Sequence, residues 1–240
     1  MDYLTTFSII ALAALIHASF QLGVSMVTLL SGHAIGRSAA RNRSVGLVGA
    51  FLLGTLVMTT LVISTVSYFA ASQFHQQAPV FAWSVVSGMM VAVGVAVWVF
   101  YYRRGEGTSL WLPRGFTRFL ADRIEATRSR AEAFSLGMSG VTSELIFIIG
   151  PATAAAFALI TLPSQLQLLG IALYVLIASL GMFVVTVLIG SGHSLSRIQH
   201  WRESNKRFLQ FAAGSGLIVL GFFLYINEVV AVSLFLTGGR

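Results

Sequence analysis

The 240-residue chain has no cysteine, a single lysine (Lys206) and four prolines, and only 10% of its residues are charged. Without thiols these residues hold no disulfide, no thiolate metal site and no thiol relay of their own. With the one lysine in a polar stretch, no apolar segment can form a Schiff base to retinal. Soluble chains are about one quarter charged, so fifteen basic and eight acidic side chains are too few to cover a water-facing surface on a protein of 25.8 kDa. What the chain has instead is 56% hydrophobic residues and a mean hydropathy of +0.84, the composition of a polytopic membrane protein.

Six apolar stretches, at 5–31, 46–72, 79–102, 134–160, 166–191 and 208–232, are each long enough to cross a hydrocarbon core about 30 Å thick at about 1.5 Å per residue. They predict an all-α fold of six transmembrane helices. The first stretch follows Met1-Asp2-Tyr3 with no basic region before it and is expected to be a retained span. Every Lys and Arg except Arg240 falls in 32–45, 103–133 or 192–207, and the short loops 73–78 and 161–165 have none. Because basic residues beside short loops are held in the cytoplasm, this asymmetry places both termini outside the inner membrane. It also accounts for the sequence pI of about 10.6 without a nucleic-acid partner. In the long middle loop, Phe116, Phe119, Leu120 and Ile124 alternate with Arg118, Arg123 and Arg128, the pattern of an amphipathic helix lying in the membrane interface.

That loop splits the chain into a first three-helix repeat (1–102), the basic loop with its interfacial helix (103–133) and a second three-helix repeat (134–240). Ser25, Gly32 and Ala34 fall on Ser143, Gly150 and Ala152 at a common offset, and Ser87-Gly88-Met89-Met90-Val91 is similar to Ser215-Gly216-Leu217-Ile218-Val219. An odd number of spans per repeat inverts one copy relative to the other, the arrangement in which a midplane site opens alternately to each side. With six spans divided three and three by a basic loop, and a Gly-rich last span preceded by Asn205-Lys206-Arg207-Phe208, the chain resembles the lysine exporter (LysE) superfamily. That superfamily includes amino-acid exporters, divalent-metal exporters and CcdA-type thiol transporters. The resemblance is architectural: CcdA-type cysteines and an acidic-histidine metal cluster are absent, and Gly150-Pro151 is all that stands for a Gly-Pro signature.

Ionisable groups deep in lipid cost at least about 2.5 kcal/mol on insertion scales. Two lie deep, His17 in the first span and Glu144 in the fourth. On a regular helix His17, Gln21, Ser25 and Thr28 share one stripe, and Ser135, Ser139, Thr142 and Ser143 share another. Glu144 points about 100° from Ser143 on a regular helix, so either the fourth span loosens near Gly140 or the carboxylate faces a different neighbour. His17, Gln21, Ser25, Ser139, Thr142, Ser143 and Glu144 are therefore the candidate solute- or proton-binding residues, with His17 and Glu144 as possible metal donors.

Gly137-Met138-Ser139-Gly140 matches the Gly-x-Ser-Gly signature of rhomboid intramembrane proteases, but the last span has no histidine to act as base, leaving only His17 for that part. The reading is not an enzyme and needs no cofactor. It is a transporter of a small polar solute or cation, proton-linked, with lipid and a second copy of the chain as expected partners; an accessory membrane subunit is the alternative. The cysteine-free chain allows a direct test of orientation. In intact cells an impermeant maleimide is expected to label Gln76→Cys, and Ser109→Cys only after permeabilisation.

Overall fold

The computed structural model describes residues 2–21, 26, 38–101, 123, 127, 129–191, 200 and 204–238, and every regular element among them is helical. The helices are α1 (Tyr3–Ser19), α2 (Ser38–Phe74), α3 (Val80–Tyr101), α4 (Arg130–Ile160), α5 (Ser164–Ala178), α6 (Leu180–Gly190) and α7 (Lys206–Leu224). A π-helical segment (Tyr225–Val230) and α8 (Ala231–Gly238) follow. The interfacial helix expected after Pro113 falls almost wholly outside the described residues.

Among the described residues four helices are long and apolar enough to cross a membrane, and a fifth span forms if α5 and α6, bent by 54° at their junction, are counted together. The expectation of six continuous spans is met only in this coarser form. The fifth is broken at buried Ser179, two residues before Gly181, a pairing that favours a kink. The first is a 17-residue helix that closes at Phe20, whose N–H reaches the His17 carbonyl at 3.0 Å. Two boundaries also shift. Arg41 and Arg43 belong to the start of α2, not to a loop. α4 starts at Arg130, four residues before the expected 134, because Ser129 and Glu132 form a reciprocal capping box at 3.1 and 3.2 Å.

Side-chain contacts fix the helix directions. Gly46 lies beside Arg130 and Phe74 packs edge-on against Phe157 at 5.7 Å, so α2 and α4 run parallel. Met90 meets Gly150 and Trp83 meets Phe157 at 5.1 Å, so α3 runs antiparallel to α4. Trp83 is thus a core residue. The other principal pairings are α1 with α4, α5 and α7, α3 with α7, α2 with α5 and α6, and α4 with α5. α4 is the central post, with 72% of its apolar window buried against 22% for the last span.

The tightest crossing is between α2 and α4. A methyl group placed on Gly54 would run into the Phe134 carbonyl, and one on Gly137 into the Phe51 carbonyl. The two glycines therefore let the backbones touch, as small residues do where lipid supplies no hydrophobic drive for helix pairing. Gly54→Leu or Gly137→Leu is expected to destabilise the protein by about 1–3 kcal/mol. Gly49→Ala and Gly88→Ala, where nothing lies within 4 Å, should be neutral or slightly stabilising. Thermal unfolding in detergent checks both.

Candidate functional site: a buried imidazole, carboxyl and phenol

His17 stands near the C-terminal end of α1, Glu144 near the middle of α4 and Tyr174 in the second half of α5. They meet where α1 packs against both other helices. His17 Nδ1 is 3.0 Å from the Tyr174 hydroxyl, and His17 Nε2 is 3.8 Å from Glu144 Oε2. Exposures of 0%, 2% and 1% for His17, Glu144 and Tyr174 remove all three from bulk solvent. The first contact is a hydrogen bond. The second exceeds hydrogen-bond length. Phe20 stacks on Phe147 at 5.2 Å, each a turn along from His17 or Glu144, adding an apolar wall.

The phenol matters because it can donate or accept. When Tyr174 O–H donates to Nδ1, a neutral His17 carries its proton on Nε2, toward the carboxylate. When Nδ1–H donates to the phenol oxygen, Nε2 turns a lone pair to a protonated Glu144. The same three side chains thus accommodate the site with and without one proton, and neither state leaves Nδ1 unpaired.

Tyr174 was missed by sequence reasoning, although a signal exists. It is the only polar side chain between Gln167 and Ser179, and a tyrosine far from an interface needs a partner for its hydroxyl. The expected residues divide. The structure brings His17 and Glu144 together and buries Gln21 (3% exposed), whose amide Nε2 and Oε1 find no hydrogen-bond partner among the described residues. Ser25 lies outside the described residues. Ser139 and Thr142 are not part of the group: both are exposed, and their hydroxyls donate to the carbonyls of Ser135 and Met138 at 2.9 and 3.2 Å. Ser143 is half-buried and bonds the Gly140 carbonyl at 2.6 Å. α4 is helical throughout, so it does not loosen at Gly140; Glu144 faces α1 because it lies on the opposite side from Ser139 and Thr142. The same geometry removes His17 as a base for Ser139. Among the described residues no group of three or more His, Cys, Asp or Glu side chains forms, so there His17 and Glu144 gain no third metal donor of that kind.

Tyr174→Phe leaves Nδ1 buried without its partner and is expected to cost about 1–3 kcal/mol. In a His17→Leu background the same change should cost much less. A double-mutant cycle on thermal unfolding reads the difference.

No family model matches the chain, and no solved structure matches it. A curated relative does: the thiol:disulfide interchange protein DsbD of Ralstonia nicotianae, 28% identical over 209 residues, which cover 85% of this chain and 32% of the relative. The chain thus spans about a third of the length of that relative. The match corrects one expectation. A chain similar to a thiol:disulfide interchange protein is not to be excluded from the enzymes on its sequence, even though its own 240 residues contain no cysteine. The chain is a membrane protein of apolar helices, similar over most of its length to part of a disulfide-exchange protein.

Proposed function

We propose that the chain is an inner-membrane transporter that moves a small polar solute or cation in exchange for a proton, through a site built on His17, Glu144 and Tyr174. The observation that carries this reading is the placement of an imidazole and a carboxyl in contact, away from water, near the middle of the most buried helix. Purely structural polar contacts between membrane helices contribute about 1 kcal/mol and need no ionisable group, whereas a proton-linked carrier needs one that is shielded and can change its charge.

The helix pairings support two inverted halves of the LysE-like kind. If the first three spans exchange with the last three, α1 against α5 becomes α4 against α2, and α1 against α7 becomes α4 against α3. The pairings α1 with α4 and α3 with α7 map onto themselves. The parallel and antiparallel directions fit alternate crossings with both termini on the side opposite the basic loops. In this reading His17 comes from one half and Glu144 and Tyr174 from the other. Relative movement of the halves would open the site to either side.

In proteoliposomes under an imposed pH gradient, proton-linked flux is expected to fall by about tenfold or more in Glu144→Gln and His17→Ala, a loss of about 1.4 kcal/mol or more. Ser139→Ala should leave it unchanged. Full flux in both site variants would reject the site; no flux with a co-purifying partner would favour an accessory subunit. A second reading rests on the similarity to the interchange protein: the chain is the membrane part of a disulfide-exchange system whose thiols come from outside these residues. Reduction of an added disulfide protein by vesicles, dependent on this chain, would favour it.

A further inference from the structure

We infer that the start of α6, at the bend from α5 inside the membrane, is a second binding site, and that it takes a small monovalent anion such as chloride or a short carboxylate. The site is separate from His17 and Glu144 and does not depend on the transport reading.

The two arms of this span, of 15 and 11 residues, are about 22 and 16 Å long at about 1.5 Å per residue, so the break lies within a hydrocarbon core about 30 Å thick. A helix that restarts there leaves its first N–H groups without a carbonyl one turn back. At membrane depth such groups are tolerated only where protein buries them or a polar cavity meets them. Ser179 ends one helix and begins the other. Its N–H is spent on the Val175 carbonyl and its own carbonyl accepts the Phe183 N–H, each at 3.0 Å. A serine in this position normally turns its hydroxyl oxygen to the second or third N–H of the helix it starts. Here the backbone, at φ −94° and ψ 4°, is not extended, and no such side-chain bond forms. The hydroxyl is fully buried and finds no partner among the described residues. Gly181, in the first turn, has no side chain to cover the backbone from a ligand.

The neighbouring helix repeats the pattern. α2 packs along both arms and runs antiparallel to α5, because it is parallel to α4 and α5 turns back along α4 with Gly170 beside Leu159. On α2, Thr55, Thr60 and Ser72 donate to carbonyls of their own helix at 3.1, 2.8 and 2.8 Å. Thr59 and Ser67 have the same outlet, yet their buried hydroxyls find no partner among the described residues. They lie about 22 and 10 Å back from the end of α2 at Phe74, the depth range in which the break falls. What gathers there is donor chemistry: N–H groups that can only donate and hydroxyls that have not donated. The positive end of the α6 dipole adds about half an elementary charge. Starts of half-helices near the midplane hold anionic groups for these reasons. A cation would meet the wrong end of the dipole, and half a charge is too little to offset a multiply charged anion. A water would fill hydrogen bonds and leave the dipole uncompensated. Tyr174 stands on the same arm just before the break, so an occupant would bear on the helix that carries the phenol.

The test is thermal unfolding of detergent-purified protein in sodium chloride or sodium formate, against sodium gluconate at the same pH and ionic strength. Chloride or formate at about 100 mM is expected to raise the unfolding temperature by about 2–4 °C over gluconate. Ser179→Ala should lose that rise, and in gluconate it should unfold at or above the wild-type temperature because an unsatisfied buried hydroxyl is gone. Ser139→Ala, which removes an exposed hydroxyl already bonded to its own helix, should keep the rise. Equilibrium dialysis with labelled formate should find close to one ion per wild-type chain and none in Ser179→Ala. No rise with either anion, the same rise in Ser179→Ala, or no bound formate overturns the inference and leaves the break to water. Neither measurement involves flux, so this site and the transport reading fail separately.

Discussion

The architecture turns on how closely α2 and α4 approach. Apolar surface gains nothing by leaving lipid for another apolar helix, so packing and backbone approach must hold the bundle together. Gly54 and Gly137 provide that approach by letting each backbone rest on a carbonyl of the other. Gly137, Gly140, Glu144, Phe147 and Pro151 follow one another on a single face of α4. The face that grips α2 at its lower turns therefore presents the carboxyl to α1 farther along. Scaffold and site are two stretches of the same helical stripe.

That stripe also shows what was legible in the sequence. The membrane class and the apolar helices followed from composition and run length, and α4 could have been bounded more closely, since Ser129-Arg130-Ala131-Glu132 spells out a capping box. The choice of face was harder. The serines and threonine at 135, 139 and 142 read in the sequence as one polar stripe. In a helix surrounded by lipid a hydroxyl can satisfy itself on the carbonyl one turn back, and these three do so on the exposed side. A carboxyl has no such outlet and turns to the interior. The informative contrast was between polar groups that can be satisfied within their own helix and those that cannot.

Other features were illegible because they depend on neighbours. Tyr174 stands out in the sequence as a lone polar side chain, but its partner is known only once α5 is seen to lie beside α1. The bend at Ser179 has no proline, and the one proline inside α4, Pro151, leaves a helix that remains continuous from Arg130 to Ile160. The π-helical segment at Tyr225–Val230 likewise interrupts a span that is mostly apolar, and it holds the adjacent polar pair Asn227 and Glu228. Similarity to part of a thiol:disulfide interchange protein was invisible to motif reasoning for a simple reason: the residues that would announce such chemistry are not in this chain.

The breaks are distributed unequally around the buried pair. The helix that holds Glu144 is unbroken, whereas the helix that holds His17 ends within one turn of it and the one that holds Tyr174 bends just past it. Rotation about either break would swing the imidazole or the phenol like a lever against a stationary carboxyl. The acid is anchored, and the groups that decide its company ride on jointed arms.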